Sequence, residues 1–190
     1  MVTQQEFKQN LLGCFEIFLF MPKGLGRFDV TPEKAIKSFF IPLALMPFIL
    51  AIIVGLSEDF SPSLVISLNV LRMAFSFLLF LSAVYFLTKQ FDRQQHFYRF
   101  LMVSNWLNIN GLVLVSPILI GIAMGVPSGD FEVYAVFIEI VSYVYSAFVI
   151  THCFRLPWEM GGFIAIVGMA INQNMFDLSN YARDMLAVSV

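Results

Sequence analysis

Few side chains of this chain combine in types and spacings that do chemistry. His152 adjoins Cys153, a base beside a nucleophile, or two potential metal ligands. Consecutive helical residues point away from each other, so an interfacial histidine next to a small buried thiol is the simpler reading. Asn174 and Asp177, three apart on a helix, offer oxygens to a cation, and a solvated helix end accounts for them as well. No HExxH, GxSxG or phosphate-binding glycine loop occurs, and Cys14 and Cys153 lie too far apart in sequence to suggest a ligand set. The residues therefore predict a protein that is not an enzyme and holds neither metal nor other cofactor.

Two opposite charges in apolar surroundings stand out instead. Arg72 follows Leu64 by eight residues and Glu139 follows Phe131 by eight; each is thus expected roughly 12 Å below the outer start of its helix. A charge at mid-membrane costs about 2.5–3.5 kcal/mol on insertion scales and generally finds a partner, which predicts an Arg72–Glu139 ion pair. Asn69, Arg72 and Ser76 share one helical stripe, and Ala135, Glu139, Ser142 and Ser146 another. With Asn172 they form a candidate intramembrane polar cluster. It reads either as a structural lock between helices or as a proton or cation site lining a cavity. Asn105, Asn108 and Asn110 add further amides. Candidate packing positions are Gly121 and Gly125, a GxxxG, and the small-residue stripe Gly161, Ala165 and Gly168.

These residues must be positioned by membrane helices. Of 190 residues, 59% are apolar and 13% charged, with net charge −2, whereas soluble chains carry about 25% charged residues. The slight acidity excludes a phosphate-binding surface, and with it nucleic acid as a partner. A bilayer core requires roughly 20 apolar residues per helix, and five segments qualify: 39–56, 64–88, 100–125, 132–154 and 158–178. The expected fold is all-α, a polytopic membrane helical bundle. With the N-terminus inside, Lys8, Lys23, Arg27, Lys34, Lys37, Lys89, Arg93, Arg99 and Arg155 all fall on the cytoplasmic side, and Glu58, Asp59, Asp130 and Glu132 in the outer loops. This orientation leaves only Arg183 outside, satisfies the positive-inside rule almost without exception and places the C-terminus outside a bacterial inner membrane. The basic loop from Lys89 to Arg99 is an ordinary positive-inside loop or a docking surface.

Ahead of the spans, Phe7, Leu11, Phe15 and Phe18 form one apolar stripe, predicting an amphipathic helix lying in the headgroup region. Thr31-Pro32-Glu33 reads as an N-cap, a proline at the first helical position and a favourable acid, and Pro42 and Pro47 predict a kinked first span. The chain divides into an N-terminal interfacial segment (1–30), a five-helix membrane domain (31–180) and a short tail (181–190).

The Thr31-Pro-Glu-Lys-Ala-Ile-Lys-Ser-Phe39 lead-in to a proline-bearing span, the five closely spaced helices and Ser116-Pro117 in span three resemble the bacterial Yip1-like integral membrane proteins. The resemblance covers roughly residues 30–178 and lacks the Asp-Leu-Tyr-Gly-Pro type signature of eukaryotic members, so small-GTPase binding is not carried over. It implies a non-enzymatic membrane protein acting through protein or lipid partners. Two expectations stand: a scaffold or accessory subunit in a homo-oligomer or larger membrane complex, and a small transporter or channel component using Glu139 and Arg72.

Overall fold

The computed structural model describes residues 3–55, 57 and 60–188. Glu58 and Asp59 of the first outer loop, and Leu56, the expected end of span one, lie outside the described residues. Among the described residues all regular structure is helical: α1 (Gln4–Phe18), a 3-10 turn (Pro22–Arg27), α2 (Pro32–Lys37), α3 (Phe40–Gly55), α4 (Pro62–Gln90), α5 (Phe97–Ala123), α6 (Glu132–Phe154) and α7 (Trp158–Val188).

Local chemistry sets these boundaries. At the start of α1, Thr3 accepts from the Glu6 backbone while the Glu6 carboxylate accepts from the Thr3 backbone, a reciprocal capping box. Thr31 caps α2 through Lys34 N at 3.2 Å. Pro42 has no N–H to give to the Ser38 carbonyl four residues back; that carbonyl accepts from Ile41 N at 3.0 Å instead, and the helix breaks between α2 and α3. Pro47 sits inside α3 without ending it. Arg155, at φ +54 in the left-handed region, closes α6 and lets the chain turn through Pro157 into α7.

Among the described residues four helices are long and apolar enough to cross a membrane: Pro32–Gly55 (α2 with α3), Pro62–Gln90, Gln94–Ala123 and Gly129–Phe154. They make this a membrane-associated, all-helical chain. The segment expected as a fifth span does not join them. Its apolar run ends at Ile171, where Asn172-Gln173-Asn174 and then Asp177 follow, so α7 as a whole is less apolar than the other four. Nor does the helix stop near 178; α7 continues through the expected tail to Val188.

We call the end carrying Lys89, Arg93, Arg99 and Arg155 the basic end, and the opposite one the far end. α3 runs parallel to α5, with Ser38 beside Asn105 and Gly55 against Ile122. α7 packs along both α4 and α6 and stands between them. The core gathers towards the basic end, where Val84, Val103, Trp106, Ile150, Phe154 and Ile164 are at most 1% exposed.

Candidate functional site

The expected polar cluster separates into four places. Arg72 forms no ion pair with Glu139. Its guanidinium lies over the Phe176 ring of α7, 5.2 Å from the centroid, a cation–π contact, and its Nε is buried without a hydrogen-bond partner. Asn69 turns back to the Val65 carbonyl at 2.9 Å, and the Ser76 hydroxyl is buried and unpartnered. Glu139 is exposed on α6, among the exposed Val136, Phe137 and Ile140. The physical reason is α7. Its small residues let it wedge between α4 and α6: a Cβ on Gly161 would stand 1.9 Å from Thr151 Oγ1 of α6, and one on Gly168 2.5 Å from the Phe80 ring of α4. Ala165 is 3% exposed on the same stripe. Asn172, expected in the cluster, is exposed on the outer surface of α7.

That stripe is therefore occupied by neighbours within the chain. Within the chain, the GxxxG of α5 meets a loop residue rather than a helix. Gly121 lies under Phe131, whose ring a Cβ would approach to 2.4 Å, while Gly125 lies past the helix end at φ +78 with open space around it.

The remaining member, Ser142, lines a groove between α5 and α6 with a volume of about 290 Å³. Ser104, Asn108 and Gly111 reach it from α5 at helical spacings of four and three, Ser142 and Ser146 from α6, and Phe80 and Phe100 wall it. Asn108 Nδ2 donates to the Ser104 and Asn105 carbonyls, both at 3.1 Å. Asn110 and Tyr145 also line it, but their polar ends hold α1. Asn110 Nδ2 donates to the Cys14 carbonyl at 3.0 Å, and the Tyr145 hydroxyl donates to the Phe18 carbonyl, one of the four left unpaired at the end of a helix. The Phe20 ring stacks on Tyr145 with centroids 4.6 Å apart, securing a non-glycine residue at φ +56.

α1 is thus docked against the bundle about 20 Å along α5 from its basic end, rather than lying apart from it. The face that packs is Asn10, Gly13, Cys14 and Ile17. Gly13 is needed there, because a Cβ would meet the Phe28 ring at 2.7 Å and the Gly24 carbonyl at 2.9 Å. Of the expected stripe, Phe7, Leu11 and Phe15 remain 42–59% exposed, Phe7 touching the Trp106 ring edge-on at 5.4 Å, while Phe18 is part-buried and stacks on Tyr145 with centroids 5.8 Å apart.

Near the start of α1 a second cavity, about 490 Å³, is bounded by α1, α2 and the Trp106 side of α5. Its charges answer one another: Lys34 pairs with Glu6 at 2.5 Å and with Asp29, Lys37 with Glu33 at 2.5 Å, and Arg27 with Glu16 at 2.7 Å. The hydrogen bond from Lys34, with those from Thr3, holds the Glu6 carboxyl down at about 2; Arg27 likewise lowers Glu16.

His152 turns its Nδ1 to the Phe148 carbonyl at 2.8 Å, while Cys153 is 2% exposed, so the adjacent pair does not converge. Asn174 donates to the Ala170 carbonyl, and Asp177 accepts from Gln173. Among the described residues no group of three or more His, Cys, Asp or Glu is arranged to hold a metal ion. The groove residues Ser104 and Gly111 were missed as a set, although their spacing with Asn108 was a legible signal. Compared with protein-family models, curated proteins and solved structures, the chain finds no match.

Proposed function

We propose that this chain is a non-enzymatic integral membrane protein, a scaffold or accessory subunit that holds a membrane partner against the far half of α6. The observation that carries the reading is Glu139: a carboxylate exposed on a helix long enough to span a membrane, without an ion pair among the described residues. Facing lipid, such a charge costs about 2.5–3.5 kcal/mol; a second copy or another membrane protein supplying a donor removes that cost. In this reading α7 accompanies the four apolar helices as a fifth span, its polar residues meeting the same partner. The basic end faces the cytoplasm of a bacterial plasma membrane, in keeping with the positive-inside rule and a Yip1-like plan.

Extraction in a mild detergent, with sizing and mass identification of what copurifies, tests this. The wild type is expected as a stoichiometric complex. Glu139→Leu is expected to be folded and released from it. An unchanged complex with Glu139→Leu would sink the reading.

A further inference from the structure

The serines of this chain divide by what their hydroxyls do. On α4, Ser67 and Ser82 donate to carbonyls four residues back at 2.8 Å, and on α5 Ser116 does so three back at 2.8 Å. This is the usual way a lipid-facing serine satisfies itself. Ser104, Ser142 and Ser146 make no such bond. All three line the α5–α6 groove, along with Asn108, whose Nδ2 is used and whose Oδ1 has no hydrogen-bond partner among the described residues. The groove thus presents three hydroxyls and an amide oxygen between the rings of Phe80 and Phe100.

Its position and charge select the ligand. Asn108 lies eleven residues into α5, about 17 Å from the basic end, and both walls belong to helices able to cross a membrane, so an occupant arrives from the lipid phase. No Lys, Arg, Asp or Glu lines the groove, and Glu139 follows one turn from Ser142 on the same stripe of α6. A phosphodiester would meet no cation there and one nearby carboxylate. Ester carbonyls accept from the serine hydroxyls, and a free alcohol donates to Asn108 Oδ1. We propose that the α5–α6 groove binds a neutral glycerolipid of the diacylglycerol class, by its ester and hydroxyl groups.

The test is photolabelling of the intact protein in phosphatidylcholine vesicles holding a trace of diacylglycerol with a diazirine near its ester groups. Label is expected on residues 104–114 and 142–150, above that on residues 71–79 of α4. A phosphatidylcholine bearing the same diazirine chain is expected to leave the groove unenriched. Loss of two membrane hydrogen bonds in Ser142→Ala/Ser146→Ala is expected to lower groove labelling about tenfold, with Ser67→Ala as the unchanged control. Gly111→Val supplies a second, independent variant: a Cβ on Gly111 meets nothing within 4 Å, so a side chain has room to start there and is expected to fill the groove and block labelling in a protein of unchanged sizing profile. Label spread evenly over the lipid-facing helices, equal groove labelling by phosphatidylcholine, or labelling indifferent to the serine pair would each overturn the proposal.

Discussion

The basic-end half and the far half of the bundle share helices but not a manner of packing. On α5, Phe100, Leu101, Met102, Val103, Asn105 and Trp106 are buried, whereas beyond Asn110 only Ile118 and Gly121 are. On α6 the run from Ala147 to Thr151 is buried, while Val133 is 84% and Ile140 58% exposed. The basic-end half has additional layers, since α1, the 3-10 turn and α2 are laid onto it. The far half has α3, α4 and α7 alone, and it leaves Glu139 uncovered. The difference teaches that one end of this molecule is finished by its own chain, and that the other is finished by whatever surrounds it.

The contrast can be broken, or sharpened, by substitution. Phe154 is fully buried beside Phe100, with centroids 5.3 Å apart, and Phe154→Ala is expected to cost about 3 kcal/mol or more in reversible unfolding in detergent. Phe176→Ala in the far half, removing a ring 43% exposed, is expected to cost well under that; comparable losses would erase the distinction. Gly161→Ala forces a methyl onto Thr151 Oγ1 and the Ala147 carbonyl and is expected to cost about 1–3 kcal/mol by overpacking. Adding Thr151→Ala should recover part of that loss, and thermal unfolding monitored by sizing reads both variants.

Smaller effects concern how α1 is held. Tyr145→Phe removes the hydroxyl that caps the Phe18 carbonyl and is expected to cost about 1 kcal/mol, with faster proteolysis at Lys8. The smallest is a pH effect. Because Glu6 titrates at about 2 when paired with Lys34, against an ordinary 4.5, its contribution is complete above pH 4.5 and is lost as pH falls from 4.5 to 2. Trp106 fluorescence in a Trp158→Phe background should report this loss, and Glu6→Gln should flatten it.

Composition and capping made much of the architecture legible. Apolar runs located the four membrane-length helices, Thr31-Pro32 marked the start of α2, and Pro42 marked an interruption whose cause is its missing donor. The arrangement of those helices was not legible, because periodicity reveals which residues share a face but not which helix that face meets. Arg72 and Glu139 each lie on a stripe that could have met the other, until Gly161 and Gly168 admitted α7 between the helices carrying them. Hydrophobic contrast picked out Phe7, Leu11, Phe15 and Phe18 on α1; the buried face holds Ile17 with Asn10, Gly13 and Cys14, and the last three, valued for small size or polarity, do not register as a hydrophobic signal. In the groove the spacing of Ser142 and Ser146 was visible, but the feature that distinguishes them from Ser67, a hydroxyl not turned back on its own helix, exists only in three dimensions.

The docking of α1 also orders events in time. Its two side-chain anchors are separated from their carbonyls by 96 and 127 residues. The first anchor closes only once α5 has been made and the second only once α6 has. Contacts of such long range close late, so the end of α1 is secured after its own helix has formed. A ribosome-bound chain ending before Tyr145 should hold the end of this helix less firmly than one that includes it.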